Sequence, residues 1–255
     1  MEMPSSLLAI CGGRVFVENA IVIEAPVHEN CHWNIQTQED RILVITALSG
    51  NLKEAQEFLT IHDGSGKDSP ILIVENQKIH ERSRKDLPEA VYTTQSTASI
   101  RFKKAPTSNL QLKIQKAVDC PFNLGGESQC GRVVDEITCY CATFTRRNHS
   151  SQTTYCYNNN MKLLTLETYE KEQAIKTAWT GGIYFWTSLT DAQQEGEYIW
   201  ESTNTNLYPG YANWSRSQPT NVDDEDCIVF YSAMSGRLYD SPCSNINDAI
   251  CQAIP

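Results

Sequence analysis

Ten cysteines in a chain of 255 residues constrain the fold more than any other feature. Their number is even, and no two stand as CxxC, the spacing that a zinc ribbon or a thioredoxin-type redox centre needs. Five disulfides are therefore expected, and such bridges persist in oxidising compartments. Sequons at Asn148 and Asn213 suit the same route and are the predicted glycosylation sites. Together these features place the protein outside the cell, as a secreted glycoprotein. The N-terminus has no basic n-region and Leu7-Leu8-Ala9-Ile10 is too short for a signal-peptide core, so the signal peptide is read as absent from this sequence. No apolar run approaches the roughly 18 residues of a membrane helix, so no membrane insertion is expected.

The length fits two domains of ordinary size, and a composition of 40% hydrophobic and 20% charged residues is that of folded, not disordered, sequence. Charge divides the chain unevenly. Residues 1–117 carry 13 Lys+Arg against 14 Asp+Glu, whereas residues 118–255 carry 8 against 17, giving -1 and -9. The second half repels phosphate backbones and anionic lipid, which excludes nucleic acid as an expected partner.

The first half reads as a succession of short strands, from Arg14–Val17 through Ile71–Val74 to Leu110–Ile114. Alternation such as Leu110, Leu112 and Ile114 around Gln111 and Lys113 puts one face on a core. Turn residues such as Asp63-Gly64-Ser65-Gly66 punctuate the strands, so an all-β antiparallel sandwich is expected. Asp63 itself is read as capping its own turn. Asp119-Cys120-Pro121 opens the cysteine-rich part, and the boundary is set near Lys116. There a helix is expected over about Thr168–Trp179, with Ala174, Ile175 and Ala178 inward and Glu170, Lys171 and Glu172 outward. Arg146–Ser150 reads as a polar turn, and 201–226 as one long polar loop, a form more often used for binding than for filling.

Cys11-Gly12-Gly13, Cys31-His32-Trp33-Asn34-Ile35 and Phe58-Leu59-Thr60-Ile61-His62-Asp63-Gly64 resemble the signatures of the CUB family, over residues 11–117. The resemblance implies a Cys11–Cys31 disulfide. Glu54 stands where a further family cysteine would fall. The family's calcium site fits poorly, because Glu57 replaces an aspartate and Lys103-Lys104 stand in place of an acidic residue, so no calcium is expected in this half.

Residues 120–254 resemble a C-type-lectin-like domain of α+β class. The match rests on Cys156, Trp186-Thr187-Ser188-Leu189, Glu195-Gly196-Glu197-Tyr198-Ile199-Trp200, Glu225-Asp226-Cys227, Pro242-Cys243 and Cys251. The resemblance implies Cys156–Cys251 and Cys227–Cys243 bridges. The remaining Cys120, Cys130, Cys139 and Cys141 allow three connectivities from sequence. The family's N-terminal hairpin bridge favours Cys130–Cys141, which leaves Cys120–Cys139.

In sugar-binding members of that family a calcium ion on the long loop ligates sugar hydroxyls. Carried onto this sequence, the metal ligands are Gln218, Thr220, Glu225 and Asp240, with Tyr239 in place of an asparagine. The corresponding ligand-binding set is Gln218, Asn221, Glu225, Asp240 and Trp214, the last as a stacking ring, and a cis bond before Pro219 is implied. Calcium is a possible cofactor that nothing in the sequence requires. No HExxH, G-x-S-x-G or P-loop pattern is present, so no catalytic residue is assigned and the chain is read as a non-enzyme. His32 and His62 read as strand-end or surface residues. The function expected first is recognition of an extracellular protein through both modules; the alternative is a calcium-dependent, galactose-type carbohydrate-binding lectin acting in innate immunity or adhesion.

Overall fold

A computed structural model describes residues 6–8, 11–25, 29–66, 68–72, 89–104, 109–220, 222, 224–233 and 236–255. The chain divides into two compact units, one ending at Asp119 and the other running over Cys120–Ile254.

The first unit holds β1 (Ser6–Leu8), β2 (Gly13–Phe16), β3 (Ala20–Glu24), β4 (Cys31–Gln36), β5 (Ile42–Ser49), β6 (Leu59–Asp63), β7 (Ala90–Tyr92), β8 (Thr97–Phe102) and β9 (Gln111–Ala117). They form a sheet in the order β1-β3-β9-β5-β7 and another in the order β2-β4-β8-β6. Both contribute to one core: Ile23, Leu43, Ile45 and Ile114 from the first sheet pack with Trp33, Ile35, Ile61 and Phe102 from the second. The alternation that predicted β9 holds, since Leu112 and Ile114 are buried between less buried neighbours.

Three details depart from the sequence reading. The edge strands β1 and β2 pair in parallel with β3 and β4, so the sheets are mixed and not wholly antiparallel. Ile71 makes an isolated bridge to His62, and the rest of the expected 71–74 strand lies outside the described residues. Among the described residues, the buried Asp63 carboxylate reaches across to Thr94 and not to its own turn, accepting hydrogen bonds from the Thr94 backbone N–H at 2.9 Å and the Thr94 hydroxyl at 2.7 Å. His62 is likewise buried, with Nδ1 at 2.9 Å from the Ser69 carbonyl, while His32 is exposed.

The second unit contains β10 (Ser128–Gly131), β11 (Cys139–Arg147), α1 (His149–Asn158), β12 (Lys162–Leu163), α2 (Tyr169–Ala178), β13 (Tyr184–Thr190), β14 (Ile199–Trp200), β15 (Thr205–Asn206), β16 (Cys227–Tyr231), β17 (Arg237–Ser241) and β18 (Asn247–Ala253). The main path of its sheet is β10-β11-β18-β13-β14-β15, with β12 on β18 and β16 joining β13 to β17. Trp179, Phe185, Trp200, Phe230 and Ile250 are in its core. Trp186 is fully buried, with Nε1 donating to the Arg147 carbonyl at 2.9 Å.

Thr168 caps α2, its hydroxyl accepting the Lys171 N–H, and Glu170 in the first turn faces the positive end of the dipole. α1 replaces the turn expected near Arg146–Ser150. Asn148 caps it, taking the Ser151 N–H at 3.0 Å. Its sequence is polar, so tertiary contacts hold it. Gln152 is fully buried and donates to the carbonyls of Thr145 and Asn247. His149 Nε2 meets the Thr187 carbonyl at 2.9 Å with its ring edge-on to Trp186, and Cys156 bonds Cys251. Among the described residues no helix is long and apolar enough to cross a membrane.

The cysteines pair as Cys11–Cys31, Cys120–Cys139, Cys130–Cys141, Cys156–Cys251 and Cys227–Cys243. In the second unit they tie β10 to β11, α1 to the central strand β18, and the start of β16 to the segment after β17.

Candidate functional site

Among its described residues, the segment from Leu207 to Asp226 carries no regular element beyond single bridges, yet it is stitched to the domain at several points. Leu238 N–H donates to Asn213 O and Ser215 N–H to Leu238 O, so residues 213–215 run beside β17. A buried carboxylate holds the same stretch from below. Glu172, on α2, accepts from Tyr211 Oη at 3.0 Å and from Asn213 Nδ2 at 2.8 Å. The sequence reading placed Glu172 outward; it is fully buried. Hydropathy periodicity sorts residues by polarity and has no means of flagging a carboxylate whose acceptors are used internally. Burial pushes its pKa up, opposed by the donors from Asn213 and Tyr211 and by the charges of Lys176 and Arg237. Gly236 makes this approach possible. It has φ +49°, and a Cβ there would lie 3.0 Å from Glu172 Oε1.

At the far end of the loop, Gln218–Pro219 is a cis peptide. Gln218 Oε1 accepts the Asp240 N–H at 3.0 Å. The Thr220 N–H donates back to Asp240 Oδ2. The Thr220 hydroxyl lies 2.6 Å from Glu225 Oε2 and 3.1 Å from Asp240 Oδ2. Four of the sequence-predicted residues, Gln218, Thr220, Glu225 and Asp240, thus meet in one polar cluster. Asn221 lies outside the described residues.

Trp214 is half-buried at the base of the loop. Its Nε1 donates to Tyr208 Oη at 3.0 Å, its ring packs at 62° and 5.1 Å on Tyr198, and it lies against the domain core. Asn213 is hydrogen-bonded through both polar atoms of its amide. Its Nδ2, the atom a glycan occupies, donates to Glu172 and to Gly236 O at 2.8 Å, and its Oδ1 accepts from Arg237. A glycan would remove one of these hydrogens. Asn148 uses only its Oδ1 in the cap among the described contacts, which is compatible with a substituted Nδ2.

The cluster fits a hard divalent cation in kind. Two carboxylates, a hydroxyl and an amide oxygen are the donor types that calcium selects, and about six to eight such oxygens complete its shell. The Thr220 hydroxyl has one proton for two carboxylate oxygens. The nearer contact, to Glu225, takes that proton, and Asp240 Oδ2 accepts the Thr220 N–H. Among the described residues, the trio of acidic, thiol or imidazole groups close enough to share an ion is Cys11, Glu29 and Cys31, and two of these are locked in a disulfide. Calcium in the second unit would therefore rest on two carboxylates and neutral oxygens.

The family model for the Lectin C-type domain matches residues 145–253. An α-N-acetylgalactosamine-specific lectin of Patiria pectinifera is 29% identical over 126 residues, covering 48% of this chain and 68% of that protein. CD209 antigen-like protein D of Mus musculus is 30% identical over 162 residues, covering 61% of this chain and 66% of its own. Among solved structures, the carbohydrate-recognition domain of the mouse scavenger receptor C-type lectin is 28% identical, with a TM-score of 0.41, over 46% of this chain and 88% of that one. The matched segment spans both helices, the loop cluster and the bridges Cys156–Cys251 and Cys227–Cys243. What these comparisons support over residues 145–253 is a C-type-lectin-like domain.

Proposed function

We propose that this protein is an extracellular, calcium-dependent lectin that binds galactose-type sugars, including N-acetylgalactosamine, through the cluster at Gln218, Thr220, Glu225 and Asp240. The observation that carries the reading is the gathering of those four residues at the end of the long loop, where the Thr220 hydroxyl meets both carboxylates and Gln218 Oε1 accepts the Asp240 N–H. The Gln218-Pro219 pair and the likeness to an α-N-acetylgalactosamine-specific lectin support the sugar class. When bound, calcium supplies a Lewis-acidic centre for vicinal sugar hydroxyls. Glu225 and Asp240 hold the cation, the Thr220 hydroxyl adds a neutral oxygen, and the Gln218 amide, its Oε1 turned to Asp240 N–H, donates through Nε2. Trp214 and Glu172 shape the loop and do not touch ligand. The first unit, with its two sheets on one core, is proposed as a CUB-like module that spaces or presents the lectin domain.

The test is retention of the whole chain on an N-acetylgalactosamine matrix in calcium and release by EGTA, alongside calorimetric titration of calcium. Retention with E225A and D240A abolishing it is expected; retention that ignores EGTA, or no retention with calcium bound, refutes the proposal. A second reading is favoured by the net charge of -9 over residues 118–255: docking of a basic protein on the acidic domain. It predicts binding that weakens as salt shortens the Debye length, to about 8 Å at physiological ionic strength.

A further inference from the structure

We infer that Thr220 is a built-in clasp that holds Glu225 and Asp240 together without an ion, so that the shape of the loop is independent of calcium even though sugar binding is not. The first half of the statement stands on hydrogen bonds alone; the second rests on the proposed calcium-dependent lectin reading.

Glu225 Oε2 and Asp240 Oδ2 both lie within reach of a single atom, the Thr220 hydroxyl, at 2.6 and 3.1 Å. Two carboxylates brought this close repel unless something positive or a proton stands between them. Thr220 supplies both compensations from one residue. Its hydroxyl proton goes to the nearer Glu225, and its backbone N–H goes to Asp240 Oδ2. Asp240 returns its own N–H to Gln218 Oε1 at 3.0 Å. Gln218, Pro219 and Thr220 are thereby fastened to β17 on both sides of the cis peptide. Glu225 is brought in from the other end of the loop, where its N–H closes a turn on Val222 O at 2.8 Å. An acidic residue at position 220 would bring a third negative charge and no hydroxyl proton, and the three carboxylates would hold together only around a cation. Threonine gives up cation affinity and gains order in the cation's absence.

Hydrogen exchange on the full, disulfide-bonded chain, following the peptides that span 215–225 and 237–241 in EGTA and in excess calcium, tests this. Wild type is expected to exchange at the same rate in both conditions, within about threefold. T220V keeps the shape and the N–H but loses the hydroxyl; its loop should exchange about tenfold faster in EGTA, the loss of one hydrogen bond to a charged group. T220S restores the hydroxyl and should match wild type, which separates loss of the clasp from misfolding. T220D should exchange fast in EGTA, be protected by calcium, and bind calcium about tenfold or more tightly than wild type. A wild-type loop that becomes protected more than tenfold on adding calcium, or a T220V loop as slow as wild type, overturns the clasp. Failure of the N-acetylgalactosamine matrix to retain a protein whose loop is ordered in EGTA would defeat the lectin reading and leave the clasp standing.

Discussion

Removing the Glu172 carboxylate by E172A should loosen the long loop from α2 and lower the melting temperature of the second unit. The substitution strips the acceptor from Tyr211 Oη and from Asn213 Nδ2, contacts of 3.0 and 2.8 Å. Hydrogen bonds to a charged group are worth about 1.5–3 kcal/mol each, a gross loss of about 3–6 kcal/mol. Release from burying a carboxylate offsets part of this, leaving a net loss of about 2–4 kcal/mol. A unit of about 135 residues unfolds with roughly 0.3 kcal/mol/K of entropy, so the midpoint should fall by about 10 °C. Scanning calorimetry of the intact, oxidised chain reads this directly. The pH dependence adds a sign test. Burial raises the Glu172 pKa above its ordinary 4.5, so the folded state takes up the proton at higher pH than the unfolded state. The stability Glu172 contributes therefore grows as pH falls through the folded pKa towards 4.5, and is lost as pH rises through it. Wild type should gain on E172Q over that window as the pH is lowered. A drop of less than about 3 °C in E172A, or a gap between wild type and E172Q that moves the other way with pH, would refute the account of Glu172 as a buried hub.

Burial lowers the pKa of His149, the opposite case for a base: the unfolded state protonates first as pH falls below 6.5, and stability is lost down to the folded pKa. H149F should cost about 1 kcal/mol at pH 7.5 for the lost Thr187 contact, with urea melts showing a smaller deficit at pH 5.5. In a secretory host, mass spectrometry should find the glycan at Asn148, removed by N148Q and untouched by N213Q; N213Q should instead lower stability by breaking the bonds to Glu172 and Gly236. Removing Cys156 and Cys251 together opens a span of 95 residues and should cost about 4–5 kcal/mol, measured by chemical denaturation.

The sequence was a good guide where local chemistry and structure agree. α2 was legible because Ile175 and Ala178 form an inward stripe, and strands such as β4 and β9 were legible because period-2 alternation matches burial on one face. α1 was not, because His149, Gln152 and Thr153 carry no apolar stripe; what fixes it is contact with residues up to 95 positions away. The cluster at Thr220 was legible through family resemblance and not through any local signal, since Gln218, Glu225 and Asp240 are brought together by a cis turn and a β hairpin. The hydrogen bonds of Trp214 and Asn213 within the loop had no local signal either. An aromatic ring and a sequon in a polar loop suggest exposure, and here both side chains are half-buried and also hydrogen-bond to residues that hold the loop.

The strand that closes the lectin domain in sequence, β18, lies in the middle of its sheet, antiparallel to β11 and parallel to β13. During synthesis, then, β11 and β13 have no neighbour to fill the gap between them, and Cys156 has no thiol to meet, until Asn247–Ala253 have left the ribosome. This domain closes in one late step, and until Asn247–Ala253 arrive its sheet stays split and the Cys156 thiol stays without its partner.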